Sequence, residues 1–310
     1  MTYDIIVLGD YFFDQIFSGL PRFPQLGCEV YGDKLTTTGG AMFITAVSLS
    51  RLEACVGWPA TFGSDAYSRF VYELAQAEGV DLALARLLDR PFQRVTTAIP
   101  FQGDRAFVTY ADDDPTDHHD YWLTALRQAS YRHLHFGGAM PLDELRPLVA
   151  AAHEQGATVS MDCQDIPLLQ NPAAVREVLP LVDLFIPNAR ETRIVAETDD
   201  LRAAIERLMT LCPLVVVKDG SNGAWIGHDG TLTCVPGIDA GPAIDTTGAG
   251  DCFNAGFLYG HIVERAPLER CARYGNICGG LSVTGIGGAT TAPTREELQH
   301  WLAKLETQTS

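Results

Sequence analysis

Between residues 131 and 218, short apolar runs alternate with longer amphipathic stretches, and this alternation narrows the possible folds more than any other feature. The runs at 133–137 (HLHFG), 158–162 (TVSMD), 182–186 (VDLFI) and 214–218 (LVVVK) read as strands. Residues 143–155 and 200–211 read as helices between them. Strands separated by helices of this length argue for an α/β fold, a doubly wound and mainly parallel sheet flanked by helices. The run at 3–9 (YDIIVLG) is continuously apolar, as a parallel strand buried on both faces should be. Ligands in such sheets gather at the carboxyl ends of strands. The residues expected at those ends are Asp14, Gly39, Gly138, Asp162, Asn188 and Gly220.

Two stretches depart from this pattern. Residues 12–38 carry Gly, Pro and short alternations such as 29–35, and suggest two or three antiparallel strands leaving the main sheet. Residues 96–99 and 105–110 flank Gly103 and Asp104, a hairpin signal. The expected division is a core of residues 1–11, 39–93 and 112–310 with a small β-sheet lid of residues 12–38 and 94–111. Gly39 and Gly40 are expected to open a helix that runs to residue 52, either for close ligand approach or as a tight turn. Residues 55–62 read as one strand, and residues 112–120 as an acidic surface loop in which His118 and His119 diverge.

The formal net charge is −17, which argues against nucleic acid as a partner, because a phosphate backbone needs Lys and Arg. No apolar run reaches the roughly 20 residues needed to span a bilayer. Residues 1–9 lack the layout of a signal peptide. The eight cysteines show no paired spacing and read as reduced thiols. The expectation is a soluble cytoplasmic protein with no membrane partner.

Residues 244–260 (IDTTGAGDCFNAGFLYG) concentrate the chemistry. Gly248, Ala249 and Gly250 are small enough for their N–H groups to approach a ligand, and a helix beginning near Asp251 would make them an anion site. Asp251 is either a helix cap or a general base that takes a proton from a hydroxyl attacking a phosphoryl group. Asn188 and Glu191 (NARE) have the spacing of a capping box. Lys218 either neutralises phosphate or is a surface lysine at a strand end. No G-x-x-x-x-G-K-[ST] is present, and no G-x-G-x-x-G follows the first strand, which excludes a P-loop kinase and a dinucleotide fold.

The DTTGAGD core, with Asp14 after Gly9, the Gly39–Gly40 pair, NARE, the GSNG turn at 220–223 and TGIGGATTAP at 284–293, resembles the ribokinase-like (PfkB) carbohydrate kinase family. The resemblance implies an ATP-dependent kinase acting on a hydroxymethyl group of a small sugar or sugar derivative; the alternatives are a nucleoside kinase of the same fold and a non-catalytic sugar or nucleotide sensor. It implies Asp251 as base and the amides of Gly248, Ala249 and Gly250 as the anion hole. Asp14, Gly39, Gly40 and Gly138 would hold the acceptor, and Asn188, Lys218, Gly220, Gly223 and Asn276 the nucleotide. Glu191 would organise Mg²⁺ through water, and relatives hold a monovalent cation such as K⁺ near Asp245 and Thr247. A homodimer through the lid is expected, because an open sheet has edges to cover. The chain departs from the family pattern at Ile44, where relatives carry Asn, and at residues 164 and 166, which are not Asn and Arg. Tyr11, Phe12 and Phe13 would either line the acceptor site, where a base could stack, or pack within the lid.

Overall fold

A computed structural model describes residues 2–101, 104–113, 118–164 and 170–308. The chain begins with β1 (Thr2–Leu8), β2 (Tyr11–Ser18), β3 (Lys34–Ala41) and α1 (Met42–Arg51). It continues through β4 (Val56–Gly57), β5 (Thr61–Phe62), α2 (Ala66–Ala77), β6 (Arg86–Leu87), β7 (Arg94–Phe101) and β8 (Asp104–Ala111). The alternating part follows as α3 (His118–Gln128), β9 (Ser130–Phe136), α4 (Leu142–Glu154), β10 (Thr158–Met161) and α5 (Pro172–Val178). Next come β11 (Leu184–Phe185), α6 (Ala189–Ala196), α7 (Leu201–Met209), β12 (Leu214–Lys218), β13 (Ala224–His228) and β14 (Thr231–Val235). Three helices finish the chain: α8 (Ala249–Leu258), α9 (Leu268–Ser282) and α10 (Arg295–Gln308).

The large sheet has eight strands in the order β14-β13-β12-β11-β10-β9-β1-β4. Every pairing from β12 to β4 is parallel, and β12, β13 and β14 pair antiparallel. The core has two halves because side chains alternate across a strand. From β1, Ile5 and Val7 join one apolar cluster with Val47 of α1, Ala255 of α8 and Ile277 of α9. Ile6 and Leu8 join the other, with Leu148 of α4 and Ile205 of α7. Both faces are therefore covered, which is why β1 reads as unbroken apolar sequence. A smaller sheet has the order β3-β2-β7-β8, with β2 and β7 parallel. Among the described residues no helix is long and apolar enough to cross a membrane.

Several expectations are corrected. Gly39 and Gly40 do not open a helix; they lie in β3, opposite Phe13 and Phe12, and α1 begins at Met42. Space explains the two glycines: a Cβ on Gly39 would lie 2.3 Å from Cγ of Phe43, and one on Gly40 2.2 Å from Oδ2 of Asp14. The strand expected at 29–35 is β3, beginning at Lys34. The stretch 55–62 divides between β4 in the large sheet and β5, which pairs with β6. Asp14 and Gly39 sit inside strands of the small sheet rather than at ends of the large one. His118 and His119 begin α3 instead of lying in a loop, and His119 Nε2 is 3.0 Å from Oε2 of Glu144. The β13–β14 hairpin was not anticipated, although Asp229 and Gly230, with φ of 48° and 72°, are a strong turn pair. Gly103 of the expected turn, the loop at 114–117 and residue 166 lie outside the described residues.

Candidate active site

Helix α8 begins after a left-handed residue, Gly248, with φ of 71°. A side chain there would meet two obstacles, Ile44 Cδ1 at 2.5 Å and Gly288 Cα at 3.1 Å. Gly248 therefore lets α1, α8 and the 3₁₀ turn Gly288–Thr291 converge. No side chain caps α8, so the N–H groups of its first turn face outward without helical partners. The Ala249 amide makes one long bond, 3.4 Å to the carbonyl of Thr246. Asp245 braces the approach: Oδ1 accepts from the Thr247 amide at 2.9 Å and Oδ2 from the Gly287 amide at 3.0 Å.

Asp251 lies in this first turn. Burial pushes its carboxyl pKa up to about 7, and Asp162 adds to the rise, while Lys218 and the Thr45 hydroxyl pull the other way. Thr45 Oγ1 donates to Asp251 Oδ1 at 3.4 Å, tying α1 to α8.

Lys218 is not a surface lysine; its side chain is 12% exposed. Its Nζ donates to Asp162 Oδ2 at 2.7 Å and to Asn254 Oδ1 at 3.2 Å. Asn254 in turn donates to the same Asp162 oxygen at 2.6 Å. The ammonium passes close under Gly250, where a Cβ would lie 3.4 Å from Nζ. A cation, a carboxylate and the outward amides of α8 thus meet at one place. The backbone of Asn188 lies beside that of Lys218 in an isolated parallel bridge. Asn188 also caps α6: its Oδ1 accepts from the Glu191 amide at 2.9 Å, and Glu191 Oε2 accepts from the Asn188 amide at 2.8 Å. Glu191 is buried, 3% exposed.

The turn Gly220–Asn222 connects β12 to β13. Gly220 has φ of 56° and open space around it. Gly223 has φ of 98° and presses on the backbone of 235–237, with a Cβ position 2.1 Å from the carbonyl oxygen of Val235. Asn276 holds the same segment from the other side, donating to the carbonyls of Val235 at 3.1 Å and Pro236 at 2.9 Å. Its amide nitrogen is thus engaged within the protein.

A cavity of about 270 Å³ opens beside β1 and β2, lined by Asp10, Phe12, Met42, Arg94, Gly138 and Gln164 among others; neither Asp14 nor Asp251 lines it. Arg94 Nη1 pairs with Asp10 Oδ2 at 2.8 Å, and the guanidinium lies over the rings of Phe12 and Phe92. Its Nε is buried with no hydrogen-bond partner. Asp14, on β2, is 8% exposed. Burial raises its pKa to about 7, and the charges of Asp251 and Asp245 add to that rise. Asp14 and Asp251 are thus near enough for the charge of one to disfavour ionisation of the other. Of the three aromatic candidates, only Phe12 reaches the cavity. Tyr11 is buried, stacked 4.6 Å from Phe62 and bonded to Ser68, and Phe13 packs on Tyr67 and Phe70. Ile44 packs against the Gly248 and Gly288 turns.

Sequence reasoning missed Asp10, Thr45, Arg94, Gln164 and Asn254 as site residues. Asn254 could have been found, since three residues beyond Asp251 on a helix is the same face. The Gln164 amide approaches Gly138, with a Cβ position 3.3 Å from Oε1. Arg94 and Asp10 are 84 residues apart (94 − 10), and no local spacing announces their pairing.

Comparison with known proteins agrees with this architecture. The family model described as pfkB family carbohydrate kinase matches residues 33–295. A ribokinase of Bacillus subtilis is 26% identical, over 97% of this chain and 99% of that protein. An ATP-dependent ribose-1-phosphate kinase of Halopiger xanaduensis is 28% identical, over 86% of each. The Arabidopsis thaliana ribokinase, solved with ribose and ATP, superposes with a TM-score of 0.80 at 22% identity, covering 97% of this chain and 99% of that one. These matches show that the chain belongs to the pfkB family of carbohydrate kinases.

Proposed function

We propose that this enzyme transfers the γ-phosphoryl group of ATP to a hydroxymethyl group of a small sugar or sugar derivative. The observation that carries the reading is Asp251, half-buried in the uncapped first turn of α8 with a pKa raised to about 7. A carboxylate with that pKa is matched to proton transfer near neutrality. Asp251 takes the proton of the attacking hydroxyl. The amides of Gly248, Ala249 and Gly250 stabilise charge on the phosphoryl group in transfer. Lys218 supports them from below without leaving Asp162.

The turn at Gly220 and Gly223 holds the nucleotide phosphates beside Lys218, with Asn188 facing them from the end of β11. Asn276 acts through the 235–237 segment that it fixes. Magnesium keeps most of its water and takes few protein carboxylates, so a single Glu191 held in the α6 cap fits a role toward the ion's water shell. The ion supplies neutralisation of phosphate charge. Asp245 and the nearby turn carbonyls offer oxygen ligands to a monovalent cation such as K⁺.

Asp14, Gly39, Gly40 and Gly138 position the acceptor, and Gly40 leaves the space that the Asp14 carboxylate fills. The small sheet acts as a lid that excludes water. Its exposed Leu26-side loop and the side chains of Leu35, Phe107, Val108 and Tyr110 support pairing of two lids in a homodimer, which light scattering would test. An acceptor screen with ATP and Mg²⁺, offering ribose, fructose, keto-deoxy sugar acids and adenosine, tests the function. ATP-dependent phosphorylation of a sugar is the expected result. Turnover of adenosine alone would replace the acceptor class, and turnover of none would end the reading.

A further inference from the structure

We propose that Arg51 is a positioning residue for phosphoryl transfer, because it fixes the turn against which the anion-binding end of α8 rests. This inference rests on the phosphotransfer reading above. Arg51 is the last residue of α1 and its guanidinium is used on every side. Nε and Nη2 form a bidentate pair with Glu78, at 2.8 and 2.7 Å. Nη1 donates to three backbone carbonyls, those of Ala289 at 2.8 Å, Ala292 at 2.9 Å and Thr290 at 3.3 Å. The carbonyls belong to the end of the Gly288–Thr291 turn, where helical C=O groups lack partners and attract a cation.

The turn matters because of what it touches. Gly287 and Gly288 both have positive φ, 97° and 50°. Gly288 lies so close to Gly248 that a single Cβ on Gly248 would contact its Cα, and Ile44 Cδ1 is wedged against both. The turn is pinned at its front by Asp245 through the Gly287 amide and at its rear by Arg51. Asp245 also holds Thr247, immediately before the cradle. Remove the rear pin, and the left-handed Gly248 loses its backing. The cradle amides then shift relative to α1, which carries Thr45 against Asp251. Arg51 itself touches neither Asp251 nor the cradle amides, so it acts only through the turn. A lysine has no planar fork and cannot serve Glu78 and three carbonyls together.

The test uses the full-length enzyme as wild type, Arg51→Lys, Arg51→Ala and Glu78→Gln, with kcat, both KM values, melting temperature and amide hydrogen exchange measured for each. For Arg51→Lys the expected fall in kcat is about 10- to 100-fold, the size that a misplacement near 1 Å produces, with the acceptor KM within about threefold of wild type. Exchange at residues 285–292 rises in both Arg51 variants. Millimolar guanidinium restores part of the kcat of Arg51→Ala. Glu78→Gln keeps the three carbonyl bonds and loses less than about threefold in kcat, as one weakened charged contact should. A kcat for Arg51→Lys equal to wild type would overturn the inference, as would losses in Glu78→Gln as large as those in Arg51→Lys. Wild-type enzyme inactive with every acceptor would remove the kinase reading and this inference together; active wild type with indifferent Arg51 variants would remove this inference alone.

Discussion

Lys218 Nζ lies 2.7 Å from Asp162 Oδ2, and the pair is buried beneath the first turn of α8. The two residues come from β12 and from the end of β10, neighbours once removed in the sheet, with β11 between them. Asn254 reaches down from α8 and bonds to both. The charge beneath the first turn of α8 is therefore fixed by the sheet rather than by a mobile surface chain.

Breaking that pair should be costly. Lys218→Met leaves Asp162 buried without its counter-charge, and the expected loss of stability is about 3–5 kcal/mol. Lys218 also holds the Asp251 pKa down, so its removal should push that pKa higher. Urea denaturation measures the first effect. The acid limb of the kcat–pH profile, displaced toward higher pH in the variant, measures the second.

Asp251→Asn keeps the shape of the site and removes the base. The expected fall in kcat is about 10²- to 10⁴-fold, the range that general base catalysis supplies. ATP affinity, measured by calorimetry, should stay near wild type, because the proposed nucleotide contacts lie on the amides and on Lys218. Turnover at the wild-type rate would remove Asp251 from the reaction.

Stability and activity should respond to pH in opposite directions. Both Asp14 and Asp251 have pKa values raised to about 7 by burial, from an ordinary 3.8. As a base, Asp251 must be ionised, so kcat rises with pH and levels off above about 7. The folded state prefers both groups protonated. Their contribution to stability is complete below the ordinary carboxylate pKa and is lost as pH rises through about 7. Asp251→Asn should therefore melt higher than wild type at pH 8, by an amount on the order of a few kcal/mol, and the advantage should shrink toward pH 4. Thermal melts of both proteins across that range decide it.

Gly248→Ala combines two penalties. A left-handed backbone costs a non-glycine residue about 1–2 kcal/mol. The new methyl would also meet Ile44 Cδ1, 2.5 Å away. Ile44→Val removes that terminal carbon, so the double variant should recover part of the lost stability and of the lost kcat. A double-mutant cycle with additive effects would show that the two residues do not press on one another.

What the sequence conveyed follows a physical division. The α/β alternation, the DTTGAGD turn and the Asn188–Glu191 box are local patterns, and each formed at its expected place. Relations between distant segments were hidden. Nothing near Arg94 points to Asp10, and nothing near Thr45 points to Asp251. Gly39 and Gly40 were misread because a glycine pair serves equally before a helix or inside a strand; the deciding facts are the ring of Phe43 and the carboxylate of Asp14. The aromatic run Tyr11 to Phe13 left two options open, lining a site or packing within the lid; alternate strand residues face opposite sides, and of the three only Phe12 faces the cavity.

The β13–β14 hairpin has a practical consequence. One end of β13 leads from the Gly220–Asn222 turn, and the other ends at the Asp229–Gly230 bend, five strand residues further along. That places the bend roughly 15 Å from the turn, at about 3.3 Å per residue. The bend is a natural splice point: a reporter domain, an affinity label or a new pair of chain ends introduced there would leave the catalytic rim of the sheet undisturbed.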